Sequence, residues 1–278
     1  DDTNLLNVDT ISGIINFMNI SFRHFGKFLA VAILLSAVAF ATIAYASHSW
    51  GDYHWARTLN PFTLKLGDNV STAWDGRLIT ASSDWNVSPM LDTTIVAGAN
   101  KRNCGPVKGR VEVCNKKYGN NGWLGVASIW VSGNHITQGT VKLNDTYFNT
   151  AYYNTLAWRQ FVMCQEVGHT FGLDHQDEIF NNANLGTCMD YTNDPNDNQH
   201  PNAHDYDQLE TIYTHLDTLV TSFGKKSHGP ALVGDDIDTS NPSEWGEVIK
   251  KSNNGRNSLY EKDLGRGNKV FTFVIWAD

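Results

Sequence analysis

The stretch CQEVGHTFGLDH, residues 164–175, constrains the fold of this chain more than any other segment. On an α-helix, residues four apart lie one turn above each other, so Gln165 and His169 project from the same face. Gly172 can adopt a positive φ, which ends a helix and turns the chain back so that His175 reaches the same point. The stretch therefore predicts a helix, a glycine turn and a cluster of polar side chains where the two meet.

The residue types in this cluster favour a metal centre. His169 and His175 offer two imidazoles, and the carboxylate of Glu166 is displaced around the helix, within reach of a water molecule held on that face. These are the groups that a metal-activated water requires. Three more histidines are candidate ligands, although each stands where a solvated loop or helix residue is typical: His200, His204 and His215.

The same stretch resembles the metzincin signature of zinc peptidases, H-E-x-x-H-x-x-G-x-x-H. It matches at Glu166, His169, Gly172 and His175 but not at Gln165, where the family has histidine. A glutamine amide oxygen is a poorer zinc ligand than an imidazole nitrogen. Three interpretations follow: Gln165 ligates weakly, another side chain completes the site, or the domain is a pseudoenzyme that has kept the fold and lost the metal.

Two downstream features extend the resemblance. Residues 186–191, GTCMDY, resemble the Met-turn that lies beneath the metal in this family, with Met189 as its methionine. A helix predicted over residues 203–223 is similar to the last helix of matrixin catalytic domains. The resemblance covers roughly residues 53–223. It implies an α/β (α+β) zincin-like fold: a twisted mixed sheet, an active-site helix, a Met-turn and a C-terminal helix.

Tyr191 stands two positions after Met189. In astacin- and serralysin-like metzincins, a tyrosine at this spacing approaches the zinc. The resemblance therefore implies that Tyr191 adds a ligand or stabilises the oxyanion of the reaction. The alternative is a half-buried loop aromatic that serves packing.

With Glu166 as general base, the resemblance implies a secreted zinc endopeptidase that hydrolyses protein or peptide substrates through a metal-activated water. The family lays an extended peptide along an edge strand, which we predict at residues 135–143. The alternative function is a catalytically silent metzincin-fold module that binds proteins or peptides. Gln165 motivates it, because one missing ligand costs metal affinity.

The N-terminal region has the pattern of an export signal. Basic residues precede an uncharged stretch, residues 28–46, that ends in Ala-Tyr-Ala. This predicts a signal peptide over residues 18–46 after an upstream or non-native segment, residues 1–17; an uncleaved membrane anchor is the competing interpretation. Cleavage would leave a secreted, extracellular or periplasmic protein without a membrane partner. Its catalytic domain would span residues 47–223, followed by an extension of unknown role, residues 224–278.

Four cysteines follow the predicted cleavage point: Cys104, Cys114, Cys164 and Cys188. An even count in an exported chain predicts two disulfides, with three possible connectivities. Cys104 with Cys114 would close a short loop, and Cys164 with Cys188 would join the two active-site segments. Four buried thiols, or a cysteine zinc site without C-x-x-C spacing, are the weaker alternatives.

Charge and pattern bound the remaining functions. The chain has 21 Lys+Arg against 29 Asp+Glu and no concentrated basic cluster, which argues against a nucleic-acid partner. The Asn/Asp-rich loop, residues 181–198, is a candidate for structural Ca²⁺, although it lacks EF-hand spacing. Hydrophobic periodicity predicts helices over residues 70–85 and 150–171. It also predicts strands over residues 62–66, 93–97, 110–114, 124–131 and 269–276.

Overall fold

A computed structural model describes residues 47–222, 234–252 and 254–277. The predicted upstream segment and signal peptide, residues 1–46, lie outside the described residues. Within the described ranges, every helix is too short or too polar to cross a lipid bilayer.

Nine strands, four α-helices and two short 3₁₀ helices (Arg102–Cys104 and Pro242–Glu244) make up the regular structure of the described residues. The strands are β1 (His54–Trp55), β2 (Phe62–Asn69), β3 (Leu91–Ala97), β4 (Arg110–Lys116), β5 (Trp123–Ser132), β6 (His135–Asn144), β7 (Glu247–Lys251), β8 (Asn257–Gly265) and β9 (Asn268–Trp276). The α-helices are α1 (Thr72–Trp85), α2 (Asp145–Phe148), α3 (Leu156–His169) and α4 (Ala203–Ile212).

The strands form one mixed sheet in the order β3-β2-β4-β6-β5-β9-β8-β7, and β1 pairs beside β6. The pairs among β1, β2, β3, β4 and β6 are parallel. The pairs that link β6, β5, β9, β8 and β7 are antiparallel. A mixed sheet with a small number of helices confirms the predicted α+β fold class.

The core lies where α1 and α3 pack on each other and on the sheet. α1 contributes Trp74, Leu78 and Trp85 to it, at the predicted helical spacing. α3 is buried on almost all sides after its first turn, which is unusual for a helix and places its polar residues inside the protein. Those polar residues must therefore find partners there, because burying an unpaired polar group costs free energy.

β5 is an interior strand of the sheet, with β6 on one side and β9 on the other. Every residue of β5 except the last is buried, as in a strand that is paired and covered on both sides.

β6 lies beside β5 and is itself paired on both edges, with β5 on one side and β4 and β1 on the other. The prediction that residues 135–143 form an exposed edge strand is therefore wrong. Alternation of polar residues reports which face is buried and says nothing about whether both edges are paired.

Helix lengths differ from the predictions at two places. The predicted helix over residues 150–171 begins only at Leu156, because Thr155 adopts an extended backbone and its hydroxyl caps the Trp158 N–H at 3.1 Å. The predicted helix over residues 203–223 ends at Ile212. Beyond it, the carbonyl of Tyr213 accepts a hydrogen bond from Asn60 Nδ2 at 2.9 Å instead of continuing a helical ladder.

The segment after residue 223, predicted as an extension of unknown role, supplies β7, β8 and β9. These strands continue the same sheet beyond β5, and β9 pairs with β5 from Trp123 to Ser132. The described residues from Ser47 onward form one compact unit.

Candidate metal centre

The turn after α3 is built by Gly172. The last backbone bonds of the helix tighten to an i to i+3 pattern, as in the bond from Gly172 N–H to the His169 carbonyl at 3.2 Å. Gly172 has φ +96°, and a Cβ at this position would lie 2.3 Å from the carbonyl oxygen of Tyr53. Only glycine fits both the positive φ and this close approach. The turn brings His175 back to the end of α3.

His169 and His175 meet with their Nε2 atoms 3.1 Å apart. His169 Nδ1 lies 2.9 Å from the carbonyl oxygen of Leu173, which can only accept a hydrogen bond, so Nδ1 carries the proton. His175 Nδ1 lies 3.3 Å from the carboxylate of Asp174 and is held as a donor in the same way. In the neutral rings, both Nε2 lone pairs therefore point at the same small region.

Burial keeps these imidazoles neutral. His169 is 1% exposed and His175 is 9% exposed. Burial lowers the pKa of His169 well below its usual range, and the neighbouring His175 lowers it further. Burial also lowers the pKa of His175, and Asp174 opposes that effect only in part. Neutral imidazole is the form that binds a metal ion.

Asp174 is itself held in place by a charge. Lys250 of β7 donates to its Oδ2 at 2.6 Å and also pairs with Glu178. Burial would raise the pKa of Asp174, but contacts with His175 and Lys250 outweigh burial and lower it. The chain Lys250–Asp174–His175 thus fixes the ring orientation of His175.

The amide of Gln165 faces the loop of residues 186–191, which was predicted as a Met-turn. Its Nε2 donates to the Cys188 carbonyl at 2.9 Å. This bond fixes which end of the amide faces the loop, and the buried Oε1 has no hydrogen-bond partner among the described residues. A buried acceptor without a partner is costly, so this oxygen is available as a ligand atom.

Glu166 lies beside β5 and is 1% exposed. It accepts a hydrogen bond from the Ala127 N–H, and its Oε2 has no partner among the described residues. Burial raises the pKa of Glu166 well above its usual range, against the opposing effect of the Ala127 N–H. Oε2 is thus the carboxyl oxygen that is available for proton exchange.

The loop of residues 186–191, which was predicted as a Met-turn, packs directly under α3. A Cβ built on Gly168 would lie 2.8 Å from Met189 Sδ, so the methionine needs the bare backbone of that glycine. The disulfide Cys164–Cys188 ties the same two segments together, with a Cα–Cα distance of 5.9 Å. The second disulfide is Cys104–Cys114. These bonds select one of the three connectivities that the sequence leaves open.

Tyr191 contacts the site from the loop side. Its ring lies 4.1 Å from the His175 ring between centroids, and Phe180 packs behind it. Burial raises the pKa of Tyr191, and Glu178, Asp174 and Glu166 raise it further. The phenol is therefore protonated.

The C-terminal strands cover the centre. Phe273 of β9 stacks on His169 with centroids 4.2 Å apart and planes within 7°. Leu259 of β8 and Lys250 of β7 border His175 on the other side. The sequence carries no local signal for these contacts, because the strands lie about a hundred residues further along the chain.

The other predicted candidates lie in different surroundings. His200 Nδ1 contacts Asp84 at 2.7 Å, and the ring of His204 stacks on His48 at 4.8 Å. His215 lies beside His54 and Asp217, far along the chain from α3. In the Asn/Asp-rich loop, Asp190 Oδ2 accepts from the Leu185 N–H and the Asn198 amide, both at 2.9 Å.

No protein-family model and no curated protein matches this sequence. Among solved structures, the chain is similar to a structure of myroilysin at 12% identity, with a TM-score of 0.36, over 60% of this chain and 98% of that one. It is also similar to high choriolytic enzyme 1, a hatching enzyme zinc-protease from Oryzias latipes (medaka). That similarity has 10% identity and a TM-score of 0.33, over 63% of this chain and 98% of that one.

Proposed function

We propose that this protein is a zinc-dependent endopeptidase whose metal centre lies between His169 and His175. One observation carries the proposal: two neutral imidazoles present their Nε2 lone pairs to each other at 3.1 Å, while both Nδ1 atoms are already committed to acceptors. Two lone pairs this close repel each other unless a proton or a cation lies between them. A histidine that ligates a metal through one ring nitrogen typically donates the N–H of the other nitrogen to an acceptor, as Nδ1 does here in both residues.

The donor set fits zinc with one weak member. Two imidazole nitrogens are ordinary zinc ligands, and the unpartnered Oε1 of Gln165 or the phenol of Tyr191 would supply the third. Matrixin-like and astacin-like sites differ in the use of the tyrosine, and the contact between Tyr191 and His175 favours the astacin-like arrangement. When bound, a zinc ion would polarise the peptide carbonyl and lower the pKa of a water molecule.

Glu166 would act as the general base. Its Oε2 has no competing partner and would take a proton from the attacking water, then deliver it to the amine of the leaving peptide. The Ala127 N–H holds the other carboxylate oxygen and keeps the group oriented. The backbone of Glu166 is fixed within α3, so the carboxylate needs little reorganisation during the reaction.

The same proposal requires the covering strands to move. A peptide substrate can pair with a sheet only at a free edge, and β9 occupies the edge of β5 that β6 does not pair with. Phe273 also covers the ring of His169. We therefore place the described structure in a closed state, and we assign catalysis to a state in which β7, β8 and β9 have left β5 and α3.

A second candidate is a silent binding module. Gln165 and the covered centre favour it, since neither a weak ligand nor a closed site is expected of an efficient enzyme. The presence of two disulfides fits an exported protein under either function. Protein or peptide substrates belong to the first function and bound peptides to the second.

The deciding experiment is zinc analysis of protein purified without chelator, followed by cleavage of an unstructured protein substrate. We expect His169→Ala to lose the zinc at this centre, and Glu166→Gln to keep the zinc while activity falls by at least about a hundredfold. Glu210→Gln, which alters an exposed carboxylate on α4, is the matched control. Full activity in Glu166→Gln would refute the mechanism, and a folded chain without zinc at this centre would favour the binding module.

A further inference from the structure

A second group of ligand side chains lies away from the centre on α3. Among the residues that the structure describes, His54, His215 and Asp217 are the one group of three whose ligand atoms all lie within 4.8 Å of one another. His54 begins β1, and the other two follow the end of α4. The group therefore joins two parts of the chain about 160 residues apart.

The backbone brings these parts together independently of the side chains. The Asp217 N–H donates to the Arg57 carbonyl at 2.8 Å, and the Thr221 N–H donates to the Ala56 carbonyl at 2.9 Å. The segment after α4 thus runs alongside the chain that leaves β1. This pairing places His215 and Asp217 over His54.

The distances within the group match a tetrahedral metal site. His54 Nε2 lies 3.1 Å from His215 Nε2 and 3.4 Å from Asp217 Oδ1, and His215 Nε2 lies 3.8 Å from the same oxygen. Zinc–nitrogen and zinc–oxygen bonds of about 2.0–2.2 Å set tetrahedral ligand atoms roughly 3.3–3.5 Å apart. One cation can therefore reach all three atoms after shifts of a few tenths of an ångström.

The hydrogen bonds around the group direct its lone pairs inward. His54 Nδ1 donates to the Asp52 carbonyl at 2.7 Å, so the Nε2 of the neutral ring has its lone pair toward the group. Asp217 Oδ2 is bound by the side chain of Arg57 at 2.9 Å, which leaves Oδ1 for a further partner. His135 Nε2 lies 3.2 Å from that same Oδ1 and can donate to it.

We propose that His54, His215 and Asp217 form a second, structural binding site for a divalent transition-metal ion of the Zn²⁺ class. The ion would join β1 to the segment that follows α4, and the fourth position would be open to water, since the His215 side chain is 52% exposed. The salt bridge with Arg57 partly neutralises the carboxylate of Asp217. The affinity of the site for the metal ion therefore depends on both imidazoles.

The test is metal stoichiometry, measured by elemental analysis after equilibration with Zn²⁺ and removal of excess ion, on the full folded chain. We expect about two zinc ions per chain in the wild type, about one in His215→Ala and about one in His169→Ala. His200→Ala removes a similarly exposed histidine outside the group and should keep both ions. Circular dichroism of each variant checks folding. His215→Phe, which keeps a planar ring without a ligand atom, replaces His215→Ala if that variant unfolds.

Thermal unfolding with and without Zn²⁺ gives a second readout that does not depend on peptidase activity. We expect the zinc-dependent rise in Tm to be smaller in His215→Ala than in His200→Ala. Equal zinc content in His215→Ala and the wild type would overturn the proposal. A wild type with one ion that His215→Ala loses and His169→Ala keeps would support this site and refute the zinc centre on α3.

Discussion

The two ends of the Gln165 amide lie in different surroundings. Its Nε2 donates to the Cys188 carbonyl, while its Oε1 is left without a partner among the described residues. An imidazole at this position would still have one N–H for the carbonyl and one lone pair for a metal. In the neighbouring His169 and His175, Nδ1 donates to a carbonyl or a carboxylate oxygen, and the Nε2 lone pair is left for a metal. Gln165 is therefore held in the manner of a ligand but with a weaker ligand atom.

Gln165→His tests this interpretation. We expect zinc affinity to rise by at least about tenfold, because an imidazole nitrogen replaces an amide oxygen while the bond to Cys188 is kept. Competition with a chromophoric chelator measures the change. Gln160→His, at a buried glutamine on another face of α3, is the matched control and should leave the affinity unchanged. An unchanged affinity in Gln165→His would show that Gln165 does not face the metal.

Among the elements, β5 and β9 decide whether the centre is accessible. β5 supplies the Ala127 N–H to Glu166, and β9 pairs with the edge of β5 opposite β6 and carries Phe273 over His169. Edge strands attract further strands because their backbone donors and acceptors are unpaired. Under the proposed function, β9 therefore takes the place beside β5 that a peptide substrate would need.

A disulfide between β5 and β9 tests whether these strands must separate. Ser128 and Thr272 are paired across the two strands, both are buried, and their hydroxyl oxygens lie 3.1 Å apart. Paired antiparallel residues have Cα–Cα distances of about 4.5–5.5 Å, which a disulfide spans. We expect the oxidised Ser128→Cys/Thr272→Cys protein to lose at least about nine-tenths of its peptidase activity, because only the open state is competent. Mild reduction should restore that activity.

The single variant Ser128→Cys, oxidised and reduced in the same way, controls for effects on the native disulfides. Cross-linking should leave the zinc content unchanged. Full activity in the cross-linked protein would mean that substrate reaches Glu166 without movement of β9.

At the scale of the whole molecule, a buried lysine on the sheet affects the free energy of unfolding. Lys142 of β6 is 1% exposed and pairs with Asp238 at 3.4 Å, just before the strands that cover the centre. Burial lowers the pKa of Lys142 to about 8, although Asp238 opposes this effect. In the unfolded chain a lysine titrates near pH ~10.4. Between these values the unfolded state binds more protons, so this group makes the folded state more stable as the pH rises.

Lys142→Met should therefore stabilise the protein most at neutral pH. We expect a gain of about 1–3 kcal/mol in the free energy of unfolding at pH 7, because the cost of burying the ammonium group is removed. The gain should shrink as the pH rises from about 8 toward 10. Denaturant titrations across this range measure it, with Lys117→Met at an exposed position as the control. A gain that is constant with pH would contradict the assignment of a lowered pKa to Lys142.

The sequence by itself determined the local parts of this protein. The four-residue spacing on α3, the glycine turn and the six strands predicted near their observed positions all follow from periodicity and backbone sterics within a few residues. The parts that differ depend on contacts between distant residues. The end of α4, the burial of β6 and the pairing of β9 with β5 depend on which distant segments pair with their backbone groups.

Only the tertiary structure decided the tautomers of the histidines and which of them lie together. The spacing of His169 and His175 predicts their meeting, but the acceptors that fix their tautomers become visible only in the folded chain. The grouping of His54 with His215 has no sequence signal at all, since about 160 residues separate them. A periodic pattern records which face of an element is buried, whereas partners across the fold depend on how whole elements pack.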